Sequence, residues 1–296
     1  MTPTPPPNLP RRILLCAVAA SVAALSSCAL PGSPSLDTRL AQLVDRLDPG
    51  GRYRDPTPDE GRQAIRATDQ LLTGNPATAL FDQLGLDTSV AVDAATNRRY
   101  ALAASRPQTS RAWGLLVIDL TARPLDLLLE VPHPVADQDT EQIGLALFRA
   151  IPGAALLVAG AHRRAAAGAA DVAHQTQSLF HTLATHLASR GLAQLQLHGF
   201  DDDSLPDHQI VVSAGAGQPD HNAEQLAAHL TGAGFDVCRT WSRRCGSLEG
   251  RSNTQGLAAA QHGYPFIHLE VDHSTRASSD LRATLIDTIA ATYNGP

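Results

Sequence analysis

From residue 114 onward the chain alternates between two hydrophobic patterns. Short apolar runs, GLLVIDL (114–120), LDLLLEV (125–131), AALLVAGA (154–161), LAQLQLHGF (192–200), HQIVVSAG (208–215), FDVCRTW (235–241) and FIHLEV (266–271), read as strands. Between and after them, TEQIGLALFRA (140–150), SLFHTLATHLASRG (178–191), NAEQLAAHLTGAG (222–234) and SDLRATLIDTIAATY (279–293) carry apolar residues at helical spacing. Strands that are apolar at nearly every position are buried on both faces, and the helices alternating with them supply the cover. The expectation is an α/β fold, a three-layer sandwich around a mixed, largely parallel sheet. Only 4% of residues are aromatic, so Ala, Leu and Val must build the core.

The preceding segment reads differently. LDTRLAQLVDRL (36–47) and PDEGRQAIRATDQLL (58–72) have helical periodicity, and SVAVDAATNRRYALAAS (89–105) reads as a hairpin around an Asn97 turn. The expected organisation is a signal segment over 1–28, a linker over 29–37, a helical and hairpin elaboration over 38–113 and the α/β domain over 114–296.

Arg11 and Arg12 precede ILLCAVAASVAAL (13–25), an apolar run of thirteen residues, too short to span a bilayer and suited to a signal-peptide core. It ends in LSSC (25–28), which resembles a bacterial lipobox. Cys28 would then carry lipid, each buried methylene contributing roughly 0.8 kcal/mol, and hold the protein to a membrane on its extracytoplasmic face. The other reading is an ordinary signal peptide in which Cys28 is incidental. Export suits the two remaining cysteines of CRTWSRRC, since an oxidising compartment lets Cys238 and Cys245 close a short loop; two free thiols are the alternative. The formal net charge is −6 and all 23 basic residues are Arg, with no basic stripe. Nucleic acid is therefore not an expected partner.

Ligands of open α/β sheets bind where strands end. The side chains there are His133 after LLLEV, His162, Arg163 and Arg164 after LLVAGA, His198 after LAQLQL, and His268 with Glu270 in FIHLEV. The stretch EVPHPVADQDTE (130–141) adds Asp137, Asp139 and Glu141. A hydrolytic Zn²⁺ site needs three protein ligands, commonly His and carboxylate, and an open position for a water whose pKa the metal lowers to about 7. His133, His198 and one of Asp137 or Glu141 have the right chemistry. Glu270 is the candidate general base, and Arg163 or Arg164 could hold a substrate carboxylate through a bidentate fork.

Each residue also has a plainer reading. His133 between two prolines suits a turn cap, the acidic residues suit the dipole of the helix that follows, and His198 suits a structural role at a strand end. His181 and His186 fit a helix face, while Asp171 and His174 in GAADVAHQTQSLF (168–180) either approach the site or mark a helix start. Glu270 is the hardest to set aside, because a buried carboxylate without a partner is costly. There is no GxSxG elbow, no P-loop lysine and no GxGxxG after a strand.

Taken in order, a strand ending in Pro-His with acidic residues behind it, an His-Arg pair after the next strand, a strand ending in His, and LEGRSNTQGLAAAQHGYPFIHLEV (248–271) resemble the N-formylglutamate amidohydrolase family over roughly residues 115–276. More distantly the pattern is similar to phage poly-γ-glutamate hydrolases and zinc carboxypeptidases. The resemblance implies a phosphorylase/hydrolase-like fold, one Zn²⁺, and hydrolysis of an amide beside a free carboxylate. It places His133 and His198 as metal histidines, Asp137 as the acidic ligand with Glu141 as alternative, Glu270 as general base, Arg163 as a substrate contact and Arg251 as a further anion contact. PHPVAD and LHGF depart from that family's usual surroundings of the two histidines, so substrate identity does not transfer. The expected substrate is a small acyl-amino acid or peptide. The competing expectation is a surface lipoprotein that captures a ligand or metal on the same fold without turnover.

Overall fold

The structure, a computed structural model, describes residues 1–2, 34–122 and 124–295. Cys16, Cys28 and the proposed signal segment lie outside the described residues, apart from Met1 and Thr2. In chain order the elements are α1 (Leu36–Val44), α2 (Pro58–Leu72), α3 (Thr78–Leu84), β1 (Leu86–Val92), β2 (Arg99–Ser105), β3 (Leu115–Asp119), β4 (Leu127–Val131), α4 (Thr140–Ala150), β5 (Ala154–Val158), α5 (Leu179–Ser189), β6 (Ala193–Phe200), β7 (Ile210–Ser213), α6 (His221–Gly232), β8 (Val237–Arg239), α7 (Thr254–His262), β9 (Phe266–Asp272), α8 (His273–Ala277) and α9 (Ser279–Asn294).

Among the described residues nine strands form one mixed sheet in the order β1-β2-β3-β5-β4-β6-β9-β7-β8. Its centre, β5-β4-β6-β9, is parallel throughout, while β1, β2 and β3 extend one side antiparallel. On the other side β7 runs antiparallel to β9 and parallel to β8. This is the mixed α/β architecture expected from the alternation. The hairpin also forms, with Asn97 at φ +57° in its turn, a left-handed conformation that Asn tolerates well. Its strand β2 pairs directly with β3, so it continues the same sheet.

Two hydrophobic clusters mark the two faces. Leu127, Leu129 and Val131 of β4, Leu195 and Leu197 of β6, and Ile267, Leu269 and Val271 of β9 pack with α4, α6 and α9. Leu128 and the alternate residues of β2, β3 and β5 pack with α2, α3 and α5. Because side chains alternate along a strand, the second face also receives Glu130, Gln196, His198, His268 and Glu270. In register, Glu130 lies beside Gln196, Gln196 beside His268, and His198 beside Glu270. The centre of the sheet is thus apolar on one face and polar on the other near its C-terminal edge.

Capping starts the helices locally. Thr57 and Glu60 form a reciprocal capping box at α2, and Ser178, Asp220, Asn253 and Asp272 cap α5, α6, α7 and α8 through their side chains. A disulfide joins Cys238 in β8 to Cys245. Among the described residues, no helix is long and apolar enough to cross a membrane.

Candidate metal centre

α4 covers one face of the sheet and α5 the other. The loops leaving β4 and β5 therefore diverge, and the C-terminal ends of these neighbouring strands open into the kind of crevice where α/β sheets bind ligands, with β6 on the other side of β4. The loop after β4 turns tightly: Asp137 N–H donates to His133 C=O at 2.9 Å, and Val135 and Asp139 both adopt left-handed backbone (φ +68° and +65°). That path carries Asp137 inward beside His133. Its Oδ2 lies 3.2 Å from His133 Nδ1 and 3.1 Å from His198 Nδ1, and all three side chains are buried.

The partners on the far side of each ring decide what those atoms can do. His133 Nε2 lies 2.8 Å from Asp171 Oδ1, a carboxylate that only accepts, so Nε2 carries the hydrogen and Nδ1 is the atom available for coordination. His198 Nε2 lies 2.8 Å from Gln196 Oε1, leaving its Nδ1 turned toward Asp137. Two imidazole nitrogens and one carboxylate oxygen converge, each donor atom within 4.8 Å of the others. Asp137 and Asp171 set two carboxylates against His133, with Arg163 as the neighbouring cation. Burial pulls the His133 pKa down, but hydrogen bonds to Asp137 and Asp171 outweigh it and hold the ring above its ordinary value. Burial would raise Asp137, yet the His133 hydrogen bond, ahead of the neighbouring His198 ring, holds it far below the usual carboxylate range. A His/Asp/His donor set fits a divalent cation.

His268 and Glu270 line the same cavity. The His268 ring stacks on His198 with centroids 4.4 Å apart, and its Nδ1 is buried without a partner. Glu270 Oε1 is 4.0 Å from His268 Nε2, and its Oε2 is likewise buried and unpaired. Burial, reinforced by the charge of Asp137, pushes the Glu270 pKa well above the ordinary glutamate value. His198, His268 and Glu270 form a second set of donor atoms at metal-binding spacing. The cavity has a volume of ≈ 410 Å³, and the loop from Gly246 to Asn253 forms its outer wall.

The other expected residues divide. Arg163 borders the cavity, 34% exposed, with Nη2 held by Asp171 Oδ2 at 2.8 Å. Arg251 lines it too, its Nε paired with Glu249 Oε2 at 2.5 Å. Arg164 does not line it. Glu141 is not brought to the imidazoles: its Oε2 accepts the Val135 N–H at 3.3 Å and braces the left-handed turn, so Asp137 is the acidic group the fold delivers. Residues the sequence reading left undecided or passed over include Asp171, which holds both His133 and Arg163, and the buried set Glu130, Gln196, Asn253 and Gln255. A signal was present for the strand members. Polar residues at every second position of LEV, QLQLH and HLE share one sheet face.

No protein-family model matches the chain, and no curated protein does. Among solved structures it is similar to an Agrobacterium tumefaciens gene product, Atu2144, at 13% identity and TM-score 0.44, covering 58% of this chain and 89% of that one. It is also similar to a bacteriophage poly-γ-glutamate hydrolase, at 12% identity and TM-score 0.38 over 58% of this chain and 84% of that one. A third likeness is to a metallo-carboxypeptidase from Burkholderia cenocepacia, at 12% identity and TM-score 0.41 over 78% and 67%. Similarity at this level extends to neither residues nor activity. What defines the protein is its own combination of a mixed α/β sheet and a buried His/Asp/His donor set at the sheet's C-terminal edge.

Proposed function

We propose that the chain is a lipid-anchored, extracytoplasmic, zinc-dependent hydrolase that cleaves a C–N bond, amide or peptide, beside a carboxylate in a small acyl-amino acid or peptide. The observation that carries this reading is the convergence of His133 Nδ1, His198 Nδ1 and Asp137 Oδ2, with Glu270, whose Oε2 is buried and unpaired, lining the same cavity as the two histidines. Those three residues would hold the metal, and a bound zinc supplies Lewis acidity and a water that ionises near neutral pH. Glu270 is the group placed to take and return a proton, since its Oε2 has no other commitment among the described residues. Arg163, oriented by Asp171, offers its remaining N–H groups to a substrate carboxylate, and Arg251 offers a second positive charge at the outer wall.

The test starts with elemental analysis of the purified chain. About one zinc per chain, lost in His133→Ala and His198→Ala, is the expected result. Glu270→Gln should then keep the metal while losing turnover of acyl-amino acids and peptides by a factor on the order of 10²–10⁴. Zinc-free wild type that takes up no added zinc sinks the hydrolase. A wild type that holds zinc and captures substrates without turning them over would instead be a binding protein. The anchor rests on LSSC alone. Labelling with a radioactive fatty acid in cells should mark the wild type and not Cys28→Ser.

A further inference from the structure

We infer that Gln196 is a positioning residue that fixes which nitrogen of His198 faces the metal, and that Asn253 and Gln255 lock Gln196 in the orientation this requires. The inference rests on reading the centre as a zinc site.

The orientation follows from two unambiguous backbone groups at the ends of a buried chain of amides. At one end, Asn253 Oδ1 accepts the Gly256 N–H at 3.0 Å, the cap of α7. An N–H can only donate, so the Asn253 side-chain oxygen is assigned, and its Nδ2 is the group pointing at Gln196. Asn253 Nδ2 donates to Gln196 Oε1. At the other end, Gln255 Nε2 donates to the Val172 carbonyl at 3.0 Å, and a carbonyl can only accept. Gln255 therefore turns its Oε1 toward Gln196, whose Nε2 donates to it at 3.2 Å and to Glu130 Oε2 at 2.6 Å.

Both ends give Gln196 the same orientation, oxygen toward Asn253 and His198, nitrogen toward Glu130 and Gln255. His198 Nε2, 2.8 Å from that oxygen, must carry its hydrogen. The neutral ring then presents its lone pair at Nδ1, the atom beside Asp137. Gln196 is fully buried (0% exposed), with Gln255 at 1% and Asn253 at 2%, so water does not compete for these bonds. His133 is set the same way by Asp171, but there a single carboxylate does the work that the amide relay does for His198.

The test measures Zn²⁺ affinity of the full chain by competition with a chromophoric chelator, alongside thermal unfolding of each variant. Gln196→Met keeps the volume and removes the acceptor, and should bind zinc about 10–100-fold more weakly than wild type. Gln196→Glu restores an acceptor at the same place and should bind within about threefold of wild type or tighter. Asn253→Asp keeps the cap oxygen for Gly256 but offers Gln196 no N–H and sets a second acceptor against its Oε1, so the Gln255 and Glu130 contacts alone hold the orientation against that repulsion. This variant should unfold at a higher temperature than Asn253→Ala yet bind zinc more weakly, although its added negative charge would by itself tighten cation binding. A merely structural role predicts the two rankings run together. Folded Gln196→Met binding like wild type, or Asn253→Asp binding no more weakly than Asn253→Ala, would overturn the assignment. If Gln196→Met does not fold, the Asn253 pair decides alone. Wild type that binds no zinc removes the metal centre itself, a result read before any variant is compared.

Discussion

Glu130 is a carboxylate buried in β4. It sits in the middle of the sheet, 0% exposed, with Oε2 accepting from Gln196 at 2.6 Å and Oε1 without a partner. Burial pushes its carboxyl up to about 8 from an ordinary 4.5, against a smaller lowering by the Gln196 hydrogen bond. The folded chain therefore keeps a proton that the unfolded chain releases. The sign follows: this group's contribution is constant below about pH 4.5, falls by about 1.4 kcal/mol per pH unit as pH rises toward about 8, and is constant again above. The whole span is on the order of 5 kcal/mol. In Glu130→Gln the slope disappears. At pH 5 both side chains are neutral and the amide leaves an extra unpaired N–H, so the variant should be about 1 kcal/mol less stable than wild type. At pH 9 the wild type must either bury a charge or give up the fold, and the variant should be more stable by several kcal/mol. Urea unfolding of both proteins at pH 5, 7 and 9, with chelator present so that metal does not contribute, gives the difference directly, and other titrating groups cancel in it. A difference that stays constant from pH 5 to 9 would refute the reasoning.

Three more outcomes follow from named contacts. Asp171→Asn weakens the partner of His133 Nε2 and the hold on Arg163, and should lower zinc affinity by roughly 10-fold, with Asp171→Ala lower still; chelator competition reads both. Opening the Cys238–Cys245 disulfide, which closes a loop with a sequence separation of 7, should cost about 2–3 kcal/mol, measured as the loss of stability in Cys238→Ser/Cys245→Ser; a wild type indifferent to reductant would contradict it. Gly250 has φ +63°, and a Cβ there would lie 2.6 Å from the buried His268 ring, so Gly250→Ala should destabilise by about 2–4 kcal/mol and disturb His268, as thermal unfolding and the His268 NMR signals would report.

The alternation of patterns was enough to read the fold class, because buried strands such as LLVID and AALLV leave few choices for what covers them. The order of strands was not readable. That β3 pairs with β5 and β7 with β9 depends on contacts between segments far apart in sequence, which period alone does not encode. Three short helices, α3, α7 and the five-residue α8, were passed over, the first two for a local reason. α7, TQGLAAAQH, buries Thr254, Gln255, Gly256 and Ala259, small or polar residues that carry no apolar stripe. α3 is a seven-residue helix whose buried face is Phe81 and Leu84. The choice between Asp137 and Glu141 was equally hidden, since it turns on left-handed backbone at Val135 and Asp139, where no glycine announces it.

The histidines were legible because they stand at strand ends, where polar residues attract notice. Gln196, which orients His198, was not, because it lies inside a strand that otherwise reads as core. Yet Glu130, Gln196, His198, His268 and Glu270 occupy adjacent register positions on one face of β4, β6 and β9, while the opposite face of the same strands is wholly apolar. A parallel sheet centre usually asks both faces to be apolar, and an unpaired buried polar group costs several kcal/mol. Replacing apolar side chains by five polar ones in one contiguous patch is tolerable only where most of them partner one another, as the Gln196 relay does. The atoms still unpaired, His268 Nδ1 and Glu270 Oε2, belong to the two residues that border the open cavity, and Glu130 Oε1 belongs to the one that stays protonated. The centre is therefore built jointly, with the loops after β4 and β5 adding His133, Asp137, Arg163 and Asp171 to a polar layer already present on one face of the strands.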